Sequence, residues 1–203
     1  MATVIEEKSK EGMRYLASRI INCIGPTITG EKPATIMSFS NNGNRLFSLW
    51  DEFGKSMFQG KGIGCWEMRR TDEGAVILFF HRESLRRLLE QEEIREFLSW
   101  LGYRMDQTLE EILAELKKRF NSLPFPHEIG IFLGIPLKDV KGFMGLVDFP
   151  YHQTNRWKIY GNPETSLRIV ERYNEARERI KERLLLEDPL EIISGKKLLE
   201  NEG

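Results

Sequence analysis

Among the side chains of this sequence, the thiol of Cys23 is the most direct candidate for a chemical reaction. Catalysis by cysteine needs a thiolate, which a neighbouring cation or imidazole stabilises. Cys23 lies near the C-terminal end of a predicted helix, where the helix dipole disfavours an anion, so a structural cysteine is the favoured interpretation. A thiol-dependent enzyme that uses Cys23 with His127 or His81 remains an alternative, because the chain beyond the helix could turn Lys32 or a histidine toward the thiol.

Three short segments carry groups that could hold an anion: Cys23–Lys32, His127-Glu128 and Trp157–Tyr160. His127 begins a predicted helix, whose free amide groups and dipole attract negative charge. Strand alternation in "RWKIYG" puts the Lys158 and Tyr160 side chains on one face. We therefore predict that the three segments converge around a ligand with a carboxylate or phosphate group. The predicted ligand-binding residues are Lys32, His127, Glu128, Trp157, Lys158 and Tyr160.

Metal binding has little support in the sequence. The two cysteines, Cys23 and Cys65, and the three histidines are scattered and offer no close pair of ligands. His127-Glu128 lacks the second histidine that a zinc-protease helix needs. We therefore predict no metal ligand, and the sequence leaves the cofactor unassigned.

The sequence "PHEIGIFLGIPLKDVKGFMG" (126–145) is typical of a helix-turn-helix, with Gly130 at the helix crossing and Gly134 at the turn. Its reading surface is poor, because the second helix would expose side chains that cannot grip base edges in a bidentate manner. These are Pro136, Leu137, Lys138, Lys141 and Gly142. We interpret the hairpin as structural and disfavour nucleic acid as a partner. A DNA-binding transcriptional regulator that uses this hairpin is the alternative.

Composition indicates a folded globular protein without an electrostatic footprint for nucleic acid. Of the 203 residues, 40% are hydrophobic and 30% charged, and the net charge is −1. No apolar run approaches the roughly 20 residues that a membrane helix requires, so no membrane association is predicted. The polar, acidic start is unlike a secretory signal, and two cysteines do not make a disulfide framework. We therefore predict a cytoplasmic location with reduced thiols.

Hydrophobic periodicity predicts an α+β fold: a small, mostly antiparallel sheet of about 3–5 short strands packed with several helices, including the helix-turn-helix-like hairpin. A first helix over about residues 11–24 is expected to end at Gly25-Pro26. The runs "CWEMRR" and "GAVILFFH" flank a turn and predict a β-hairpin. Three helices should follow, the third opening with a capping box of Thr108 and Glu111.

A short strand, "RWKIYG", and a long helix that begins after Asn162-Pro163 complete the predicted domain. We expect residues 1–188 to form a single α+β domain and residues 189–203 to form a flexible C-terminal tail. Helices and strands alternate irregularly and no internal repeat is present, which favours α+β over a parallel α/β arrangement.

The chain resembles the bacterial domain-of-unknown-function family 3793, which occurs mainly in anaerobes. The matching pieces are "CIGPTITGEKPA" (Cys23 to Ala34), "FPHEIGIFLGIPLKDVKGFMG" (Phe125 to Gly145), and "WKIYG" with the later "RYNEA". The resemblance spans about residues 11 to 180, and it departs from the family pattern at Ile135 and Asn162. The candidate residues that it implies are Cys23, Thr27, Lys32, His127, Glu128, Asp139, Trp157, Lys158 and Tyr160.

The favoured function is a small-molecule- or partner-binding accessory factor in anaerobic redox or metal metabolism. The metabolic context comes from the family resemblance, whereas the binding role comes from the candidate residues. The expected partner is a small anionic ligand or a redox partner protein. Cys23 and His127 are the candidates for catalysis, and the sequence leaves open whether any reaction is catalysed.

Overall fold

The structure is a computed structural model that describes residues 2–41, 45–59, 62–122, 125–153 and 156–195. It confirms the predicted α+β class, with two small antiparallel sheets surrounded by helices. The strands are β1 (Ala34–Ser40), β2 (Ile63–Arg70), β3 (Gly74–His81), β4 (Tyr151–Gln153) and β5 (Lys158–Tyr160). The helices of the first half are α1 (Ala2–Ile28), α2 (Leu46–Leu49), a π-helical turn (Trp50–Gly54), α3 (Lys55–Phe58), α4 (Arg82–Leu89) and α5 (Glu92–Trp100). Those of the second half are α6 (Leu109–Ser122), α7 (Ile129–Phe132), α8 (Leu137–Phe143), α9 (Glu164–Leu186) and α10 (Pro189–Ser194).

The larger sheet has the order β1-β3-β2, and both of its pairings are antiparallel. The predicted hairpin of β2 and β3 is confirmed, with a bulge between Glu67 and Arg69. Because β3 lies in the centre, its alternating side chains enter two separate cores. Leu78 and Phe80 pack on the side of α4–α8, whereas Ile77 and Phe79 pack on the side of α1, α3 and α10.

Helix α1 is longer than predicted, because Gly25-Pro26 lies inside it rather than at its end. A Cβ atom on Gly25 would lie 3.1 Å from Cγ2 of Ile180, so the glycine serves the close packing of α1 on α9. Proline lacks one backbone N–H, and the helix continues for only two residues beyond Pro26. The chain turns at Gly30, whose φ of +77° favours glycine, and Lys32 N donates to Pro26 O at 2.9 Å.

The smaller sheet lies against the helical hairpin of α7 and α8. Strands β4 and β5 pair in an antiparallel manner, with Tyr151 opposite Tyr160. The three helices predicted before the hairpin are present as α4, α5 and α6. The capping box is confirmed, since Thr108 N donates to Glu111 Oε2 at 2.8 Å and Glu111 N donates to Thr108 Oγ1 at 3.3 Å.

The segment that starts at residue 189 is helical as far as Ser194, in place of the flexible tail expected there. Asp188 caps α10 by accepting a hydrogen bond from Leu190 N at 2.9 Å, and Pro189 occupies the first turn. Ile192 and Ile193 are buried in the core that contains α1. The sequence prediction overlooked this apolar pair, which gives a short helix enough buried surface to dock. Residues 196–203 lie outside the described residues.

Truncation of Ile192 tests whether α10 belongs to the folded domain. Ile192→Ala should lower the free energy of unfolding by about 2–4 kcal/mol, because it removes a buried side chain from a packed core. The matched control is Leu186→Ala, at a site 84% exposed, which should change stability by less than about 0.5 kcal/mol. Urea denaturation followed by circular dichroism measures both. Equal stabilities for the two variants would show that residues from 189 onward do not dock.

Candidate functional site

The carboxylate of Asp139 forms the most extensive buried polar cluster in the described part of the chain. Asp139 lies on α8 and is only 1% exposed. Its Oδ1 accepts hydrogen bonds from Tyr160 N at 2.9 Å and from Lys138 Nζ at 2.7 Å. Its Oδ2 accepts hydrogen bonds from Trp157 Nε1 at 2.9 Å and from Ser166 Oγ at 2.6 Å. A buried carboxylate with this set of donors ties α8 to β5 and to the start of α9.

The predicted residues of β5 take part in this attachment. Lys138 also donates to Tyr160 O at 2.7 Å. The Tyr160 ring lies so close to Gly142 that a Cβ atom there would be 2.2 Å from the ring, which only glycine permits. Lys158 lies over the Tyr151 ring, 4.5 Å from its centroid. Trp157 and Tyr160 therefore have a structural role in joining the small sheet to the hairpin.

These contacts cover two faces of α8. Leu137 and Val140 enter the core, while Asp139 and Gly142 face β5. Leu137 and Gly142 were predicted to be exposed, but both are buried. A recognition helix needs its outward face open to a major groove, and β5 occupies that face here. The structure thus supports the interpretation of the hairpin as a packing element.

His127 and Glu128 have different surroundings although they are adjacent in sequence. Glu128 is 4% exposed; Tyr103 donates its hydroxyl to Glu128 Oε1 at 3.2 Å, and Arg119 Nη1 lies 3.5 Å from the same oxygen. Burial, followed by the charge of Glu128, raises the pKa of Tyr103. His127 is exposed and packs edge-on against Phe143, with ring centroids 5.0 Å apart. Glu128 therefore anchors the start of the hairpin in a buried ion pair.

Lys32 lies in a second polar group, which we call the Lys32 cluster: Cys23, Lys32, Arg156, Tyr173, Asn174 and Arg177. Lys32 is half-buried, and its Nζ lies 5.8 Å from the centroid of the Tyr173 ring. Asn174 Oδ1 accepts hydrogen bonds from Arg156 Nη2 at 2.7 Å and from Arg177 Nη1 at 3.3 Å. This amide oxygen orients the two guanidinium groups beside the lysine.

Electrostatics in the Lys32 cluster disfavour further positive charge. Burial, and then the charge of Arg177, lowers the pKa of Lys32 to about 8. Burial, and then the charge of Arg156, also lowers the pKa of Arg177. Burial raises the pKa of the Cys23 thiol, although Lys32, Arg177 and Arg19 act in the opposite direction. The thiol is therefore held in its protonated form near neutral pH, which is the reverse of what a nucleophilic cysteine needs.

The three predicted segments make different contacts. Lys32 and Cys23 lie against α9, and Arg156, which precedes Trp157, reaches the same helix through Asn174. His127 contacts Phe143 at the far end of α8, and Tyr160 contacts Asp139. The structure thus places Lys32 in one polar group and the Trp157–Tyr160 strand in another. That all three segments serve one ligand stays a prediction.

The residues of α9 that complete the Lys32 cluster were missed as site residues. Arg177 lies four positions after Tyr173 and three after Asn174, and both spacings place it next to these residues on the helix surface. The run "RYNEA" contains Tyr173 and Asn174 and was used only as a match to the family pattern. Asparagine and tyrosine next to a buried helix face were the available signal.

A cavity of about 570 Å³ has Tyr173 in its lining, but none of the three cations of the Lys32 cluster lines it. Its lining includes Glu31, Pro33, Gly134, Ile135 and Tyr173. The Tyr173 hydroxyl donates to Gly134 O at 3.0 Å, and this bond fixes the ring between α9 and the hairpin turn. The volume is in the range of small-molecule pockets. Neither His127 nor Tyr160 contributes to its lining.

His81, the second proposed partner of Cys23, is used to cap a helix. Its Nδ1 accepts a hydrogen bond from Ser84 N at 3.2 Å at the start of α4. A Cβ atom on Gly30 would lie 3.3 Å from the His81 ring, so the imidazole packs beneath the Gly30 turn. In the described parts of the chain, histidine, cysteine and acidic side chains form no group of three suited to a metal ion.

Fold and site together define an α+β protein whose helical hairpin is fastened to a small sheet by a buried aspartate. The chain belongs to the family described as protein of unknown function (DUF3793), whose model matches residues 20–193. No curated protein and no solved structure shows significant similarity to the chain. Of the helices within the described residues, none has the length and apolarity needed to cross a membrane.

Removal of the negative charge on Asp139 tests its structural role. Asp139→Asn should lower the free energy of unfolding by about 2–4 kcal/mol. The new amide NH2 group would face hydrogen-bond donors that now bind a carboxylate oxygen, and Lys138 would lose the anion that it contacts. The same substitution at exposed Asp148 is the control and should change stability by less than about 0.5 kcal/mol. Chemical denaturation measures both values. A value for Asp139→Asn that matches the control would contradict the role assigned to this carboxylate.

The lowered pKa of Lys32 predicts a specific pH dependence of stability. Below pH 8 the lysine is charged in both folded and unfolded states, and the folded state bears the cost of the buried charge. Between about 8 and the ordinary value of 10.5 the folded state has released a proton that the unfolded state still binds, so stability rises with pH. Lys32→Met should therefore be more stable than wild type near neutral pH, by up to about 3 kcal/mol.

The stability gap between Lys32→Met and wild type should narrow as the pH rises from 8 to 10.5. The difference between the two proteins is the informative quantity, because the raised pKa of Cys23 acts in the opposite direction above pH 9. Denaturant unfolding at a series of pH values measures this gap. A constant gap across the whole range would show that Lys32 has an ordinary pKa in the folded protein.

Proposed function

We propose that the protein binds a small anionic ligand, with a carboxylate or phosphate group, at the Lys32 cluster. The observation that carries this proposal is that Lys32 and Arg177 are half-buried and that neither contacts a carboxylate of the described residues. Two neighbouring cations that are partly removed from water are costly unless an anion joins them. A ligand anion would supply the missing charge.

The other cations of α9 show how unusual Arg177 is. Arg168 pairs with Glu164, and Lys181 pairs with Glu178 at 2.7 Å. Arg172 and Arg179 both contact Glu31, at 3.2 and 3.5 Å, and Arg183 contacts Glu187 at 2.6 Å. Along this fully described helix, Arg177 alone has no carboxylate partner among the described residues. Its guanidinium instead shares the amide oxygen of Asn174 with Arg156.

The chemical groups at the site suit a carboxylate or phosphate. A guanidinium group offers paired N–H donors that match the oxygens of such an anion, and Lys32 adds a second charged donor. Tyr173 belongs both to the cluster and to the lining of the cavity, although neither Lys32 nor Arg177 lines that cavity. A half-buried site favours a small ligand over a partner protein.

The wider role that we propose is that of an accessory factor in the cytoplasm of anaerobic bacteria, in redox or metal metabolism. This context is supported by the family resemblance and by the composition of the chain, and it is independent of the site geometry. The proposal for the site needs only binding and implies no catalytic step.

Titration with phosphate and with pyruvate tests the proposal by isothermal calorimetry. Wild type should bind at least one of these anions, and added salt should weaken the binding. Arg177→Gln should weaken it roughly tenfold or more, because a charged hydrogen bond is worth about 1.5–3 kcal/mol.

The matched control is Arg168→Gln, the same substitution at an exposed position of α9. It should bind the anion with the affinity of wild type. Equal affinities for Arg177→Gln and wild type would place the anion elsewhere and overturn the proposal.

A further inference from the structure

We infer that Lys32 forms an imine with the carbonyl carbon of an anionic aldehyde or 2-oxo acid bound in the Lys32 cluster. This inference rests on the proposed binding of an anion, and it adds the chemical class of the ligand and a covalent bond to one named nitrogen. It depends on two features of the site: a half-buried amine without a hydrogen-bond acceptor, and a neighbouring guanidinium group that can bind an anion.

The first feature is the state of the amine. Lysine is a nucleophile only when neutral, and desolvation together with a neighbouring cation is the usual way in which proteins favour the neutral form. Both conditions hold for Lys32, which is half-buried beside Arg177 and packs over Tyr173. Among the described residues, no carboxylate and no hydrogen-bond acceptor contacts Nζ, so no acceptor there stabilises its ammonium form.

Charged and titratable groups approach Lys32 from each element around it. From α1 come the Cys23 thiol and, farther out, Arg19, which acts on the same thiol. The segment before β5 contributes Arg156, and α9 contributes Tyr173 and Arg177. The one acidic neighbour in sequence, Glu31, is engaged by Arg172 and Arg179. Burial and the charges of Arg177 and Arg156 favour a deprotonated amine, whereas Cys23 and the face of the Tyr173 ring act in the opposite direction.

The second feature links the amine to the ligand class. In a 2-oxo acid the carboxylate is bonded directly to the carbonyl carbon, so an anion bound by Arg177 would bring its carbonyl toward Lys32, whose charge interacts with that of Arg177. The same guanidinium charge thus holds the ligand and favours the reactive form of Lys32. A neutral ketone would gain only the second of these effects.

The chemical step is balanced without an oxidant or a reductant. The lone pair of neutral Nζ forms a bond to the carbonyl carbon, and one proton moves from this nitrogen to the carbonyl oxygen to give a neutral carbinolamine. Loss of the hydroxyl group, together with a proton, releases one water molecule and leaves a C=N bond. The bond is reversible, and it is favoured in a site that is partly shielded from water.

The test is reductive trapping on the full-length protein near neutral pH. Pyruvate and sodium cyanoborohydride are added, and peptide mass spectrometry locates the reduced adducts. Lys32 should be labelled roughly tenfold or more above Lys181, an exposed lysine on α9, because each unit of pKa changes the neutral fraction about tenfold. Labelling of Lys32 should saturate with pyruvate concentration, whereas that of Lys181 should stay proportional to it.

Acetone serves as the neutral comparison for the ligand class. Wild type should label Lys32 faster with pyruvate than with acetone, and Arg177→Gln should lose this preference. Arg168→Gln, on the same helix but outside the cluster, should retain it. Circular dichroism of each variant confirms that it is folded.

The possible failures are distinguishable. Equal labelling of Lys32 and exposed lysines would overturn imine formation, while calorimetry with phosphate would still report separately on anion binding. Selective labelling of Lys32 that is equally fast with acetone would overturn the anionic class of ligand. Neither anion binding nor selective labelling would overturn both this inference and the proposed function.

Discussion

The carboxylate of Asp139 holds the second half of the molecule together. It accepts hydrogen bonds from Tyr160 of β5, from Trp157 just before that strand, from Ser166 of α9, and from its own neighbour Lys138. Two of these elements are short, since α8 has seven residues and β5 has three. Short elements bury little apolar surface, so their positions depend on directional polar contacts. A carboxylate with both oxygens fully used provides such contacts from the interior.

The position of α9 follows from two distant attachments. Ser166 fastens its first turn to Asp139, and Ile180 packs on Gly25 of α1 farther along the helix. The stretch of α9 between these points contains Tyr173 and Arg177. The two attachments place this stretch next to Lys32. The Lys32 cluster is a product of these two attachments. Its charges are held near one another by packing elsewhere, which is how a fold can keep like charges together at a cost in stability.

Sequence reasoning succeeded where a local signal determined the structure. The capping box of Thr108 and Glu111, the β2–β3 hairpin and the amphipathic helices all rest on patterns within a few residues. It was less successful where a distant contact decided the outcome. Gly25-Pro26 is a helix terminator by local rules, yet the close approach of Ile180 makes glycine necessary inside the helix. The docking of α10 likewise depends on apolar surface that α1 and α3 provide.

The candidate site shows the same division. Lys32 and Cys23 could be singled out from their own segment, because polar and reactive residues stand out in an apolar context. Arg177 could not, since a charged residue on a long, highly charged helix looks like part of a solvated face. Arg177 is distinguished only by comparison with the remaining cations of α9, because each of those pairs with a carboxylate. Ion pairing is a property of three-dimensional neighbours, and no spacing rule within one helix predicts it fully.

Strand β3 separates two cores and contributes alternate side chains to each of them. Neither core is complete without this strand, and the strand keeps its pairing only while β1 and β2 remain beside it. The two cores therefore share one strand, so loss of the β3 pairing would disturb both of them. A domain built in this way should unfold as a single cooperative unit, although its helices differ widely in length and in intrinsic stability.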